Sequence, residues 1–174
     1  LHCKRNGKCN GERIKKMIEN KIRLNFLAGV QIGNEIYFSA WNMNGLFKYN
    51  TQTKNCNFIK VFPGEEEVGI HSEAIYYKNT IWFIPRASEH IAIVDLTSFD
   101  ITFLELPSYA HRTEKHVPPI RMKACFQSGE KFLWLIPYTY KLFLKIDMDR
   151  KEIINEENWE NDGHIVSVGV RIKD

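Results

Sequence analysis

The sequence predicts an all-β protein that contains three copies of one four-stranded unit. Three stretches share a pattern of aromatic strand, loop, apolar strand and turn: IYFSAWNMNGLFKYN at 36–50, IWFIPRASEHIAIVD at 81–95 and LWLIPYTYKLFLKID at 133–147. Two sets of positions align with the same separations of 45 and 52 residues, namely Tyr37, Trp82 and Trp134, and Asn50, Asp95 and Asp147. A fixed period of this length indicates a repeat architecture.

Each unit is predicted to contain four short strands. Aromatic and β-branched residues are concentrated in them, which favours extended structure. No window of the repeat region shows the sustained apolar spacing of a helix. The predicted strands span 26–31, 35–40, 46–50 and 57–62 in the first unit, 73–77, 80–85, 91–95 and 101–106 in the second, and 123–127, 132–137, 142–147 and 152–155 in the third.

The turns follow the same scheme in each unit. The first and second strands are separated by GN at 33–34, KN at 78–79 and SGEK at 128–131. Gly and Asn tolerate the positive φ that tight hairpins need, so we expect hairpins there. The third strands end at Asn50, Asp95 and Asp147. An Asn or Asp side chain in that position can accept the backbone N–H two residues on, which folds the chain back.

Four strands per unit and a period of about 45 residues are typical of β-propeller blades. A blade cannot bury both of its faces alone, so blades stack on their neighbours. The second strands, with IWFI and LWLI, are apolar on both sides, as expected for strands that are covered from two directions. We therefore expect Tyr37, Trp82 and Trp134 to be packing anchors between blades, and not ligand-stacking residues.

The prediction for the whole chain is a β-propeller fragment of about three four-stranded antiparallel blades plus the first strand of another. The blades are placed at about 26–62, 73–106 and 123–155, and the further strand starts at 164. Residues 1–25 form a basic N-terminal segment, either a short helix or a remnant of a preceding blade. Because propellers close with about four to eight blades, we expect missing blades of the same protein, with assembly from several chains as the alternative.

The chain resembles β-propellers of the kelch type or of the galactose-oxidase central-domain type. The resemblance is carried by IYFSAWNMNGLFKYNTQT, IWFIPRASEHIAIVDLTS and LWLIPYTYKLFLKIDMDR, and it covers about residues 26–155. Kelch blades usually have a Gly-Gly pair after the second strand, and WD-type blades have a Trp-Asp dipeptide; the sequence has neither. The resemblance implies degenerate kelch-like repeats and transfers no active-site residue, because one fold hosts many functions.

Composition narrows the partners that we expect. The net charge of +3 is too small to indicate specific nucleic-acid binding. The sequence contains no run of about 18 apolar residues, so no membrane span is predicted. The four cysteines lack the paired spacing of zinc sites, so no metal and no cofactor is expected. Reduced thiols favour a cytoplasmic location, with a disulfide between Cys3 and Cys9 as the alternative.

The candidate ligand-binding residues lie in loops at one end of the predicted blades. Function tends to reside on loops that a rigid scaffold positions. The loops between the second and third strands contribute polar and aromatic candidates: Trp41 and Asn42 in the first blade, Arg86 and His90 in the second, and Tyr138 and Tyr140 in the third.

A long connection between the second and third blades, PSYAHRTEKHVPPIR at 107–121, adds two candidates, His111 and His116. Arg112 and Lys115 beside them oppose the charge of a metal ion. The mixture of cationic side chains favours binding of an anion or an acidic partner. A solvated basic loop is the alternative interpretation.

The sequence contains no catalytic motif of the nucleophile-elbow, zinc-protease or phosphate-loop kind. Three consecutive glutamates in GEEEVGIH at 64–71 are interpreted as a solvated charge run. We therefore expect a non-catalytic β-propeller scaffold that binds a protein or carbohydrate (glycan) partner through its loops. The alternative is a fragment of a carbohydrate-active or lyase-type propeller enzyme, whose acids and bases would converge from several blades.

Overall fold

The computed structural model describes residues 23–64, 69–86, 88–107, 122–137 and 142–158. These residues form twelve β-strands and no helix, which confirms the all-β class. The strands form three separate four-stranded antiparallel sheets, here called blades 1, 2 and 3. Most of the predicted N-terminal segment, both of its cysteines and the strand predicted to start at 164 lie outside the described residues.

Each blade is a meander in which every strand pairs with the next strand along the chain. Blade 1 consists of β1 (Phe26–Ile32), β2 (Glu35–Ala40), β3 (Leu46–Asn50) and β4 (Cys56–Lys60). Blade 2 consists of β5 (His71–Tyr77), β6 (Thr80–Pro85), β7 (His90–Asp95) and β8 (Ile101–Glu105). Blade 3 consists of β9 (Met122–Ser128), β10 (Phe132–Pro137), β11 (Leu142–Asp147) and β12 (Glu152–Asn158). The ends of the predicted strands agree with these bounds to within three residues, and five of the twelve strands coincide.

The blades approach one another most closely at their first strands. β1 contacts β5, and β9 contacts both β5 and β6. The first strands therefore lie nearest to a common axis, and the fourth strands lie farthest from it. Because strand direction alternates, one end of the blades carries the connections from second to third strands and from each blade to the next. This end is called the mouth end.

Blade 2 is covered on both faces. Ile81 and Phe83 of β6 pack in a cluster with residues of blade 1, whereas Trp82 and Ile84 pack in a cluster with residues of blade 3. Side chains alternate between the two faces of a strand, so four consecutive apolar residues supply two separate interfaces. All four are fully buried. The prediction of a strand that is apolar on both sides is confirmed.

The aromatic anchors of the first two blades lie between blades, as predicted. Trp82 is fully buried, and its indole Nε1 donates a hydrogen bond of 3.0 Å to Oγ1 of Thr80. Tyr37 packs against the cluster between blades 1 and 2, where its ring centroid lies 6.3 Å from that of Phe99. Trp134 occupies the equivalent position of β10, one residue from Leu133, which packs towards blade 2. Trp134 therefore lies on the opposite face of blade 3.

The turns after the third strands repeat in atomic detail. In blade 1, Oδ1 of Asn50 accepts hydrogen bonds from the backbone N–H groups of Gln52 and Thr53, at 2.9 and 2.8 Å. Asp95 and Asp147 accept the equivalent pairs in blades 2 and 3. The backbone donors hold the pKa of the Asp95 carboxyl group below its ordinary value. At Asp147 the hydrogen bond from Lys131, and then the backbone donors, lower the pKa in the same way. The predicted role of the three residues is confirmed.

The backbone also repeats where no sequence pattern is visible. Lys54, Phe99 and Lys151 have positive φ values of 62°, 58° and 54°, and they are separated by the same 45 and 52 residues as the aromatic anchors. Three unlike side chains therefore share one left-handed backbone conformation. The turn geometry imposes this conformation, since non-glycine residues adopt it at a cost.

Polar contacts add to the apolar interface between blades 2 and 3. Oε2 of Glu73 accepts hydrogen bonds from the backbone N–H and the thiol of Cys125, at 3.3 and 2.9 Å. Burial and the neighbouring Glu73 charge raise the pKa of the Cys125 thiol, so it stays protonated and donates. Asp149 accepts from the hydroxyl of Tyr77 and from Nζ of Lys78, at 2.8 and 2.7 Å. Cys125 also packs against the apolar cluster between blades 2 and 3, and its pairing with Glu73 was not predicted.

We expect Trp82→Ala to lower the free energy of unfolding by about 3–5 kcal/mol, because it removes a fully buried aromatic side chain from an interface between blades. Urea denaturation followed by circular dichroism measures this loss. Trp41→Ala is the matched control, since that indole is 42% exposed. If Trp82→Ala lowers the free energy of unfolding by no more than Trp41→Ala does, the burial of Trp82 between blades is contradicted.

Candidate functional site

Trp41 and Arg86 occupy equivalent positions in blades 1 and 2, each directly after the second strand. The backbone N–H of Trp41 donates to the carbonyl of Asn25 at 2.7 Å, and that of Arg86 donates to the carbonyl of Ile70 at 2.7 Å. Asn25 directly precedes the first strand of blade 1, and Ile70 directly precedes the first strand of blade 2. This repeated bond brings both side chains to the mouth end.

The two side chains meet across the boundary between blades 1 and 2. The guanidinium carbon of Arg86 lies 4.1 Å from the ring centroid of Trp41, which is a cation–π contact. Nη1 of Arg86 also donates to the carbonyl of Gly69 at 3.2 Å. Trp41 nevertheless stays 42% exposed. Trp41, Gly69 and Arg86 together are called the mouth site.

Gly69 is required in the mouth site for two reasons. Its φ of 67° is one that other residues adopt at a cost. A Cβ atom at this position would lie 3.1 Å from Cε3 of Trp41 and 3.4 Å from Nη1 of Arg86. Any larger residue would therefore strain the backbone and press on the indole that Arg86 holds.

Asn42 supports the loop that presents Trp41. Its Nδ2 donates to the carbonyl of Arg23 at 2.9 Å, and its Oδ1 accepts from the backbone N–H of Asn25 at 3.1 Å. Asn44, two residues on, exchanges a similar pair of hydrogen bonds with the backbone of Phe62. The β2–β3 loop is thus hydrogen-bonded to the backbone before β1 and to the backbone after β4. The hydrogen bonds of the Asn42 side chain are made within the protein.

His90 begins β7, farther from the axis than the mouth site. Its ring centroid lies 4.2 Å from that of Phe103, and its Nδ1 lies 3.7 Å from Oε1 of Glu105. Its backbone N–H and carbonyl both bond to the hydroxyl of Ser88. His90 is therefore at the mouth end, as predicted, beside a carboxylate.

A buried histidine at the mouth end was not singled out by the sequence. His71, assigned to a connection between blades, is the first residue of β5 and is fully buried. Its ring packs edge-on against Phe62 at 4.4 Å and lies 5.2 Å from Phe83. Neither ring nitrogen has a hydrogen-bond partner among the described residues. Burial, and then the charge of His90, lowers the pKa of His71 to about 3.

The remaining predicted site residues lie outside the described part of the chain. These are Tyr138, Tyr140, His111 and His116. Of the four candidates that are described, the structure brings Trp41 and Arg86 into contact, gives Asn42 a supporting position and places His90 on a neighbouring strand. The role of Gly69 was not predicted, and His71 was expected in an exposed connection and not in a buried position. Both features arise from contacts between blades that no local pattern reveals.

We expect His71 to make the folded state less stable in acid. Its pKa is about 3 when folded and 6.5 ordinarily, so the unfolded chain binds the extra proton between these values. Stability should fall as the pH drops below 6.5, by up to roughly 1.4 kcal/mol for each pH unit from this residue. His71→Phe and His71→Leu should remove that contribution.

The measurement is urea denaturation of the wild-type chain and both variants at several pH values between 4 and 7.5. Subtracting the variant curves from the wild-type curve isolates His71 from the other titrating groups. Curves that run parallel over the whole range would show that His71 does not titrate as a buried group.

Metal binding and membrane crossing are separate questions from the mouth site. No group of three or more His, Cys, Asp and Glu side chains in these ranges is arranged to hold a metal ion. Within the same ranges, no helix has the length and apolar character that a membrane crossing requires.

No protein-family model matches the sequence, and no curated protein matches it. Several solved structures are similar in fold. A catalytically inactive virginiamycin B lyase from Staphylococcus aureus with quinupristin has a TM-score of 0.59 and 17% identity, over 78% of this chain and 42% of the lyase chain. A streptogramin B lyase has a TM-score of 0.58 and 14% identity, over 80% of this chain and 41% of the lyase chain. Kuenenia stuttgartiensis hydrazine synthase has a TM-score of 0.59 and 10% identity, over 80% of this chain and 38% of the synthase chain.

These similarities support the propeller-type fold of the three blades. At identities of 10–17% they extend to the fold alone. The chain spans less than half the length of each of these structures. The narrower assignment to kelch-like or galactose-oxidase-like repeats stays a prediction.

Proposed function

We propose that the chain is part of a non-catalytic β-propeller scaffold, which binds a protein or glycan partner at the mouth end. The observation that best supports this function is the indole of Trp41. It is 42% exposed, yet Arg86 packs on it at 4.1 Å and its loop is tied to the backbone of Asn25. A large aromatic side chain that is both exposed and fixed is suited to binding.

The physical reason is preorganisation. Ordering a free side chain on binding costs about 0.5–1.5 kcal/mol, and a side chain that is already held avoids most of this cost. Tryptophan and arginine are also the residue types that most often dominate the binding energy of interfaces. The mouth site presents one of each, on loops that blades 1 and 2 hold in place.

Partner binding is tested with the variants Trp41→Ala, Arg86→Ala and Gly69→Ala of the full chain. Gly69→Ala keeps both binding side chains and shifts them, so all three variants should lose most of the capture. The control is Arg150→Ala, because Arg150 lies at the opposite end of the blades with a side chain that is 70% exposed.

The readouts are a glycan array and a quantitative pull-down with the immobilised chain. A partner counts as specific if the three mouth-site variants no longer capture it and the Arg150→Ala variant still does. Equal capture by the wild-type chain and all four variants would contradict the proposed function. Circular dichroism confirms that each variant is folded.

An enzyme of the carbohydrate-active or lyase type is the second candidate, and one observation favours it. His90 and Glu105 place an imidazole and a carboxylate 3.7 Å apart at the mouth end of blade 2. Such groups transfer protons in catalysis. Turnover of acidic or neutral polysaccharides by the full-length protein, lost in His90→Gln, would support this candidate over the scaffold.

We also propose that a further blade of the same protein packs on the outward face of blade 3. Tyr37 faces blade 2 and Trp82 faces blade 3, and Trp134 holds the equivalent position in blade 3 itself. On that face, Nζ of Lys145 lies 5.3 Å from the ring centroid of Trp134 and 4.5 Å from that of Phe132. A neighbouring blade would bury these rings as blade 3 buries Trp82.

This proposal predicts that the effect of Trp134→Ala depends on the length of the chain. We expect the substitution to cost at least about 2 kcal/mol more in a protein extended by its flanking coding sequence than in the 174-residue chain. Urea denaturation of both lengths, with and without the substitution, gives the difference. An equal cost in the two lengths would contradict the packing of another blade on this face.

A further inference from the structure

We propose that the mouth site binds a carboxylate carried on a sugar ring, so that its ligand is an acidic glycan. This inference rests on the proposed function, because it concerns the same surface. Three features of Arg86 and Trp41 lead to it: a cation with no ion pair among the described residues, a single positive charge, and a backbone that is already hydrogen-bonded.

The first feature is the unbalanced charge of Arg86. Its side chain is half-buried, and among the described residues no carboxylate pairs with it. Burial lowers the pKa of its guanidinium. A guanidinium carries five N–H donors, of which one is given to the carbonyl of Gly69. The other donors have no acceptor within the described residues, so an incoming anion would satisfy both the charge and the donors.

The second feature is the size of the charge. Arg86 is the one cation that contacts Trp41 in the described part of the chain. A phosphate group carries a charge of about −1.5 to −2, so a single guanidinium would leave part of it unbalanced. A carboxylate carries one charge, and its two oxygens match the guanidinium fork. The site therefore favours a carboxylate over a phosphate.

The third feature distinguishes a glycan from a peptide. An extended peptide that binds by strand addition gains affinity from hydrogen bonds to backbone groups. At the mouth site the backbone N–H groups of Trp41 and Arg86 and the carbonyl of Gly69 are already hydrogen-bonded within the protein. What remains is an exposed indole and a guanidinium. A pyranose ring can lie on the indole while its carboxylate reaches Arg86, and it needs no backbone partner.

The test uses probes that differ in one group. Glucuronate and galacturonate carry the carboxylate, and glucose and galactose are their neutral counterparts. Tetraglutamate and inorganic phosphate test the other two sources of negative charge. Binding to the full chain is followed by the NMR signal of the Trp41 indole N–H, which Trp41→Phe assigns.

We expect the uronates to bind about tenfold more tightly than the neutral sugars, since a charge-assisted bidentate pair is worth at least 1.4 kcal/mol. Arg86→Gln should reduce uronate affinity to the level of the neutral sugar, and Arg86→Lys should restore only part of it, because lysine lacks the fork. Arg150→Gln, the matched arginine control, should leave uronate binding unchanged.

Three results would overturn the inference. Equal affinity for uronates and neutral sugars would remove the role of the carboxylate. Binding of tetraglutamate or phosphate that depends on Arg86, with no response to uronates, would replace the acidic glycan and leave the proposed binding surface intact. No response of Trp41 to any probe would also end the inference, while the array and pull-down above would still decide the proposed function.

Discussion

Blade 2 is covered on both faces, by blade 1 on one side and blade 3 on the other, and the rest of the structure depends on this packing. Without its neighbours, blade 2 would expose two apolar faces. Here Ile81 and Phe83 bury one face, and Trp82 and Ile84 bury the other. Each such side chain contributes about 1.5–3 kcal/mol when it leaves water. Because successive side chains of a strand point to opposite faces, the single strand β6 contributes to both interfaces.

The mouth site follows from the same packing. When two blades stack with their first strands together, equivalent positions at the ends of their second strands become neighbours. Trp41 and Arg86 occupy such positions, and the same backbone bond to Asn25 or Ile70 fixes each. The scaffold therefore determines where the two side chains meet, and the repeat allows them to differ. The close approach of Gly69 to both side chains adds to their contact at this boundary.

Much of the fold was predictable because it is local and repeated. The strand positions follow from the β-branched and aromatic runs, and the Asx turns at Asn50, Asp95 and Asp147 follow from side chains that bond to their own backbone. The candidate site was predictable only in part. Trp41 and Arg86 could be placed at the mouth end by topology, but their contact and the need for Gly69 arise between blades. The burial of His71 and the pairing of Glu73 with Cys125 have the same origin, and no short pattern in the sequence encodes either.

Native-state hydrogen exchange of the backbone amides tests the central claim most directly, because it measures how well each strand is protected. If neighbouring blades hold the fold together, the amides of β6 (Thr80–Pro85) should exchange most slowly, at rates set by global unfolding. The outermost strands β4, β8 and β12 should exchange faster. Equal protection across all four strands of blade 2, or slower exchange in β8 than in β6, would contradict an account in which burial between blades holds the structure together.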